Sequence, residues 1–160
     1  MDKTKFFTPT KIKNFLNCKY IVYNEFYKKD LGISKKQKTK NDELRLKKGN
    51  EHEDNYFLQL KKKYKKTIDL KKNNLDYSKR FKETLMAMQD GYEVIRGGVL
   101  IQEDWVGETD FLIKTTDLKS KFGNFSYVVH ETKNTKKTKV DHIIQAGIYT
   151  LMLESAQEIQ

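Results

Sequence analysis

Apolar residues recur at three-to-four spacing over the first stretch of the chain, at Ile12, Phe15, Leu16, Cys18, Val22, Tyr23 and Phe26. That period predicts an amphipathic helix entered at Pro9, capped by Thr8 and running to about residue 29. Residues 30–41 lose the period and gain lysines, the pattern of a loop. A second helix is predicted from Asp42, its cap, through Leu44, Leu46, His52, Tyr56 and Leu60 to about Tyr64. TIDL (67–70) predicts a short strand and KKNN (71–74) a turn, while Phe81, Leu85 and Met88 share one face of a third helix that stops at Gly91.

From Tyr92 onward the pattern changes to strands. YEVIRGGVLIQ (92–102), WVGETDFLIKT (105–115) and FSYVVHET (125–132) are rich in β-branched and aromatic residues, and the first two predict a hairpin. After KNTKK, a final helix carries Val140, Ile143, Ile144, Ile148, Leu151 and Met152 to about Ser155. Helices, then an antiparallel meander, then a helix predict an α/β (α+β) fold: a central mixed sheet containing that meander, flanked by helices.

The length of 160 residues fits one domain with one core. Cys18 is the single cysteine, which excludes an internal disulfide and a four-cysteine cluster and suits a reducing, cytoplasmic setting. No apolar run approaches the ~20 residues of a membrane span, so no membrane partner is expected. Charge changes the picture more. The formal charge is +10, but residues 1–80 hold 23 basic against 10 acidic side chains, net +13, and residues 81–160 are net −3. Only Arg45, Arg80 and Arg96 among the 32 basic residues are arginines, a balance that favours point-charge attraction to phosphates over forked readout of bases. A basic, mainly helical half (1–91) thus precedes a half (92–160) that holds the candidate chemistry.

Hydrolysis of a phosphodiester with metal help needs carboxylates converging on a divalent cation and a positive side chain near the attacking water. Asp110 falls in the second strand of the meander, and Glu131 and Lys133 fall at the end of the third, where a spacing of two puts both on one face. An acid-x-Lys pattern also occurs at Asp69–Lys71 and Asp117–Lys119, in turn-like surroundings that suit solvated ion pairs. Only Glu131 follows an apolar strand, comes after a strand with its own carboxylate and precedes an amphipathic helix.

With GNEHE (49–53) and QAGIY (145–149) added, the chain resembles the PD-(D/E)XK nucleases, and within them the RecB-type branch. FLNC (15–18), TLMAMQDGYEVIRGGVL (84–100) and WVGETDFL (105–112) extend the similarity over most of the chain, toward a subgroup often joined to a superfamily 1 helicase. The resemblance implies a restriction-endonuclease-like core and a Mg²⁺- or Mn²⁺-dependent deoxyribonuclease without an iron–sulfur cluster. It further implies an exonuclease that acts on DNA ends or single strands in repair or recombination, with a fused or associated helicase as a further partner. It implies that His52, Asp110, Glu131 and the carbonyl of Thr132 hold the metal. Lys133 would position or help deprotonate the water, Gln145 would orient that lysine or a phosphate, and Tyr149 would buttress the site or touch DNA. Glu53 is expected at the helix surface. The branch often has Asp where this chain has Glu131, and its sheet gains a strand after the Gln-x-x-x-Tyr helix, so the resemblance also implies a domain continued past Gln160. The competing expectation is a catalytically silent fold kept for nucleic-acid binding or helicase docking.

Overall fold

The protein is described by a computed structural model covering residues 6–28, 30–32, 34, 37–71, 76–133, 135 and 137–159. The first predicted helix is two: α1 (Pro9–Asn17) and α2 (Lys19–Tyr27). Thr8 caps α1 as expected, its hydroxyl accepting the Lys11 N–H at 3.1 Å. Cys18 then turns extended (φ −163°, ψ 110°) and breaks the helix. The break leaves the apolar stripe uncovered, with Phe15, Leu16, Tyr20 and Tyr23 all exposed. Helix α3 (Lys40–Lys63) starts earlier than expected. Thr39 is its cap, and Asp42 is the reciprocal partner three residues on, accepting the Thr39 N–H at 3.0 Å.

The predicted strand at 67–70 is β1 (Thr67–Asp69), and residues 72–74 of the expected KKNN turn lie outside the described residues. Helix α4 (Tyr77–Gln89) ends at Gly91, whose φ of +70° closes the helix with an N–H to Met88 O. Each of the first two predicted strand runs is divided in two. They give β2 (Val94–Arg96), β3 (Val99–Gln102), β4 (Trp105–Glu108) and β5 (Phe111–Thr115), followed by β6 (Ser126–His130) and α5 (Val140–Gln157).

The hairpin expected from 92–115 is present with one register throughout. Val94 faces Ile113 and Val99 faces Glu108, so the pairing carries across the bend without a slip. The bend falls at Gly97, which has φ +66° and where a Cβ would come within 2.8 Å of the Lys71 backbone. Beyond it the β3–β4 tip forms a small separate sheet. The main sheet runs β1-β2-β5-β6, with β1 parallel to β2 and the remaining pairs antiparallel. This is the mixed α/β sheet flanked by helices that the pattern predicts.

Alternation along the strands assigns the two faces. Ile95, Leu112 and Tyr127 pack with Ala87 and Met88 of α4 and with Met152, Leu153 and Ala156 of α5. Val94, Phe111 and Ile113 point the other way and pack with Phe57 and Leu60 of α3. The stripe expected to bury α5 is only partly the buried one. Val140, Ile143 and Leu151 are exposed, and the helix docks through Tyr149, Met152, Leu153 and Ala156. No helix among the described residues is long and apolar enough to cross a membrane.

Candidate active site

Asp110 immediately precedes β5 and Glu131 immediately follows β6, neighbouring strands whose register pairs Phe111 with His130. The two carboxylates therefore meet at one end of the sheet. By strand parity they lie on the face of Leu112 and Val129, the face that α5 covers. The backbone fixes both. Asp110 N–H donates to Glu131 Oε1 at 3.1 Å, and Thr132 gives its N–H (2.7 Å) and its hydroxyl (3.2 Å) to Asp110 Oδ2. Thr132 thus reads as the residue that holds Asp110 in one rotamer.

Lys133 closes the arrangement. Its ammonium lies 2.9 Å from Glu131 Oε2 and 3.6 Å from Asp110 Oδ2. Gln145, on the second turn of α5, donates to Glu131 Oε2 at 3.3 Å and lies 3.4 Å from the Tyr149 hydroxyl one turn on. The chain Lys133, Glu131, Gln145, Tyr149 is continuous. Tyr149 is buried because α5 presses its ring onto the backbone of β4. A Cβ on Gly107 would sit 2.4 Å from Tyr149 Cε1, so only glycine fits there.

The electrostatics follow from this crowding. Burial, and then the Asp110 charge, push Glu131 above the usual carboxylate range, with Lys133 pulling against them. For Lys133, burial opposes the charged form, but Glu131 and Asp110 outweigh it and hold the ammonium above its ordinary value. Burial first and the Glu131 charge second also push the Tyr149 hydroxyl up, so it stays protonated.

Asp110, Glu131, Thr132, Lys133, Gln145 and Tyr149 come together. His52 does not join them. It is exposed on α3, the helix that covers the opposite face of the sheet, and no hydrogen bond or ion pair among the described residues ties it to either carboxylate. Among the described residues no three His, Cys, Asp or Glu side chains cluster as a ready-made metal set.

Glu53, expected at the surface, faces inward with 12% of its side chain exposed. Its Oε1 accepts from Arg96 Nε at 2.9 Å and its Oε2 pairs with Lys71 at 2.7 Å. Arg96 also reaches Asp69 at 3.2 Å and Asp54, and stacks over Phe57. The Asp69 ion pair is therefore with Arg96 on β2, not with the lysine two residues on. These five charged groups tie α3 to the sheet at β1 and β2.

Sequence reasoning missed His142, which lines a groove with Glu131 and Lys133. Its position one turn before Gln145 was the available signal. Compared with protein-family models, with curated proteins and with solved structures, the chain matches none.

Proposed function

We propose that the chain is a nuclease domain that hydrolyses DNA phosphodiester bonds with the help of Mg²⁺ or Mn²⁺. The observation that carries this reading is the convergence of Asp110, Glu131 and Lys133, with one ammonium between two carboxylates at the end of neighbouring strands. Asp110 and Glu131 offer hard oxygen donors, and Asp110 Oδ1 has no hydrogen-bond partner among the described residues. Such donors suit Mg²⁺ or Mn²⁺. The raised Glu131 also fits, since a cation would offset the repulsion from Asp110. These two carboxylates, with the Thr132 carbonyl, would hold the ion. When bound, the ion acidifies a water and offsets charge on the phosphate.

The chain's own groups have separate tasks. Lys133, held in its charged form, donates hydrogen bonds to the attacking water or to a phosphoryl oxygen and stabilises developing negative charge. That role fits it better than proton abstraction. Thr132 fixes Asp110, and Gln145 fixes Glu131 while Tyr149, locked over Gly107, sets the depth of Gln145. The lysine-rich first half would draw the phosphate backbone toward this end of the sheet. Action on ends or single strands in repair or recombination, beside a helicase, extends the same proposal.

Labelled single- and double-stranded DNA incubated with Mg²⁺ or Mn²⁺ tests it. Cleavage should occur, stop in EDTA, and fall by about a hundredfold or more in Asp110→Ala and Lys133→Ala, the scale typical for removing a group that stabilises transition-state charge. Cleavage that survives both replacements would overturn the proposal. DNA binding without cleavage under any metal would mark a binding module instead.

A further inference from the structure

An open groove of about 590 Å³ starts at Glu131 and Lys133 and runs along the outer side of α5. We propose that it binds the nucleotide next to the scissile phosphate, with His142 as a hydrogen-bond donor to it. This assignment rests on the nuclease reading of the same site and adds where the substrate lies.

Helix α5 serves two purposes through two faces. Gln145 and Tyr149 reach toward Glu131. Ile143 and Gly147, one turn apart, line the groove. Ile143 is largely exposed, and a Cβ on Gly147 would meet nothing within 4 Å, so the floor is apolar and unobstructed. Thr138 and His142 supply polar groups along the wall, and Lys133 stands at the inner end. Glu131 is the only carboxylate in the lining among the described residues, and it belongs to the hydrolytic end. A cation at one end, polar hydrogens along one side and an aliphatic floor match a nucleotide, which presents phosphate oxygens beside the apolar faces of sugar and base. The volume lies within the ~300–1,000 Å³ usual for small-ligand sites.

His142 is prepared for this role. The Lys139 N–H donates to its Nδ1 at 3.4 Å, which places the proton of the neutral ring on Nε2. That Nε2 is 3.9 Å from Asp141 Oδ1, beyond hydrogen-bond reach, and so remains a donor for a ligand. Only 13% of the side chain is exposed, so the ring is held at the first turn of α5 rather than swinging in solvent.

Three variants test the groove: Gly147→Phe to fill it, His142→Ala to remove the donor, and Leu151→Ala, at an exposed position of α5 outside the groove lining, as the control that should fold and bind normally. Binding of a short fluorescein-labelled oligodeoxythymidylate is read by anisotropy in EDTA, with cleavage in Mn²⁺ followed in parallel. Gly147→Phe and His142→Ala should each bind about tenfold more weakly, the scale of losing one base contact, while Leu151→Ala matches wild type. Wild-type binding and cleavage by both Gly147→Phe and His142→Ala would overturn the groove while leaving the nuclease reading intact. Absence of oligonucleotide binding by the wild type would also overturn it. Weakened binding in those two variants with no cleavage by the wild type in any metal would instead remove the nuclease reading and keep the nucleotide site.

Discussion

Replacing Lys133 with Met removes the ammonium 2.9 Å from Glu131 and 3.6 Å from Asp110 while keeping a stem of similar length. At an effective dielectric constant of about 20, attractions at those distances come to roughly 6 and roughly 5 kcal/mol. Partial exposure of the lysine and the cost of desolvating it cancel most of both. A net loss of about 2 kcal/mol near neutral pH is expected, or about 4–8 °C in melting temperature for a domain of this size. The loss should depend on pH. Glu131 is already raised by burial and by Asp110, and without Lys133 it rises further. A carboxyl raised in the folded state costs stability above its folded pKa and returns it as pH falls through that value. The deficit measured by calorimetry at about pH 8 should therefore shrink toward about pH 5, and Mn²⁺ at the higher pH should shrink it too. An equal deficit at both pH values, unmoved by Mn²⁺, would refute the picture of one cation balancing two carboxylates.

Three further outcomes follow from particular contacts. Arg96→Met should cost about 3–5 kcal/mol in urea denaturation because it leaves Glu53, Asp54 and Asp69 crowded without their shared partner, and Arg96→Lys should recover only part of that. Gly107→Ala should destabilise by about 1–3 kcal/mol and slow cleavage by displacing Tyr149, and a double-mutant cycle with Tyr149→Ala should show most of the cost disappearing. Tyr127→Phe removes a buried hydroxyl that donates to Tyr92 O at 2.7 Å, so it should cost about 1 kcal/mol in stability and leave cleavage unchanged.

The long α3, α4, α5 and the hairpin were legible because each carries its own period. Places where the structure departs from the pattern depend on partners distant in sequence. Nothing in the apolar spacing from Ile12 to Phe26 marks Cys18 as the point where α1 ends, since no glycine or proline stands there. Glu53 looks like one more charge on a polar helix until Arg96, 43 residues away, draws it inward. The parallel pairing of β1 with β2 likewise joins segments separated by α4. The convergence of Asp110, Glu131 and Lys133 was legible from the alternation of two strands, whereas Gln145 and Tyr149 were expected from the resemblance and share a helix face one turn apart. His52 follows neither rule. Its place depends on which face of the sheet α3 covers, and the sequence pattern of α3 carries no information about that face.

Calorimetric titration of Mn²⁺ into the folded protein measures whether Asp110 and Glu131 form one divalent-cation site next to Lys133. One binding event is expected in the wild type and in His52→Ala, and it should be lost or strongly weakened in Asp110→Asn and in Glu131→Gln. No Mn²⁺ binding by the wild type, or binding that survives both carboxylate replacements, would contradict the account.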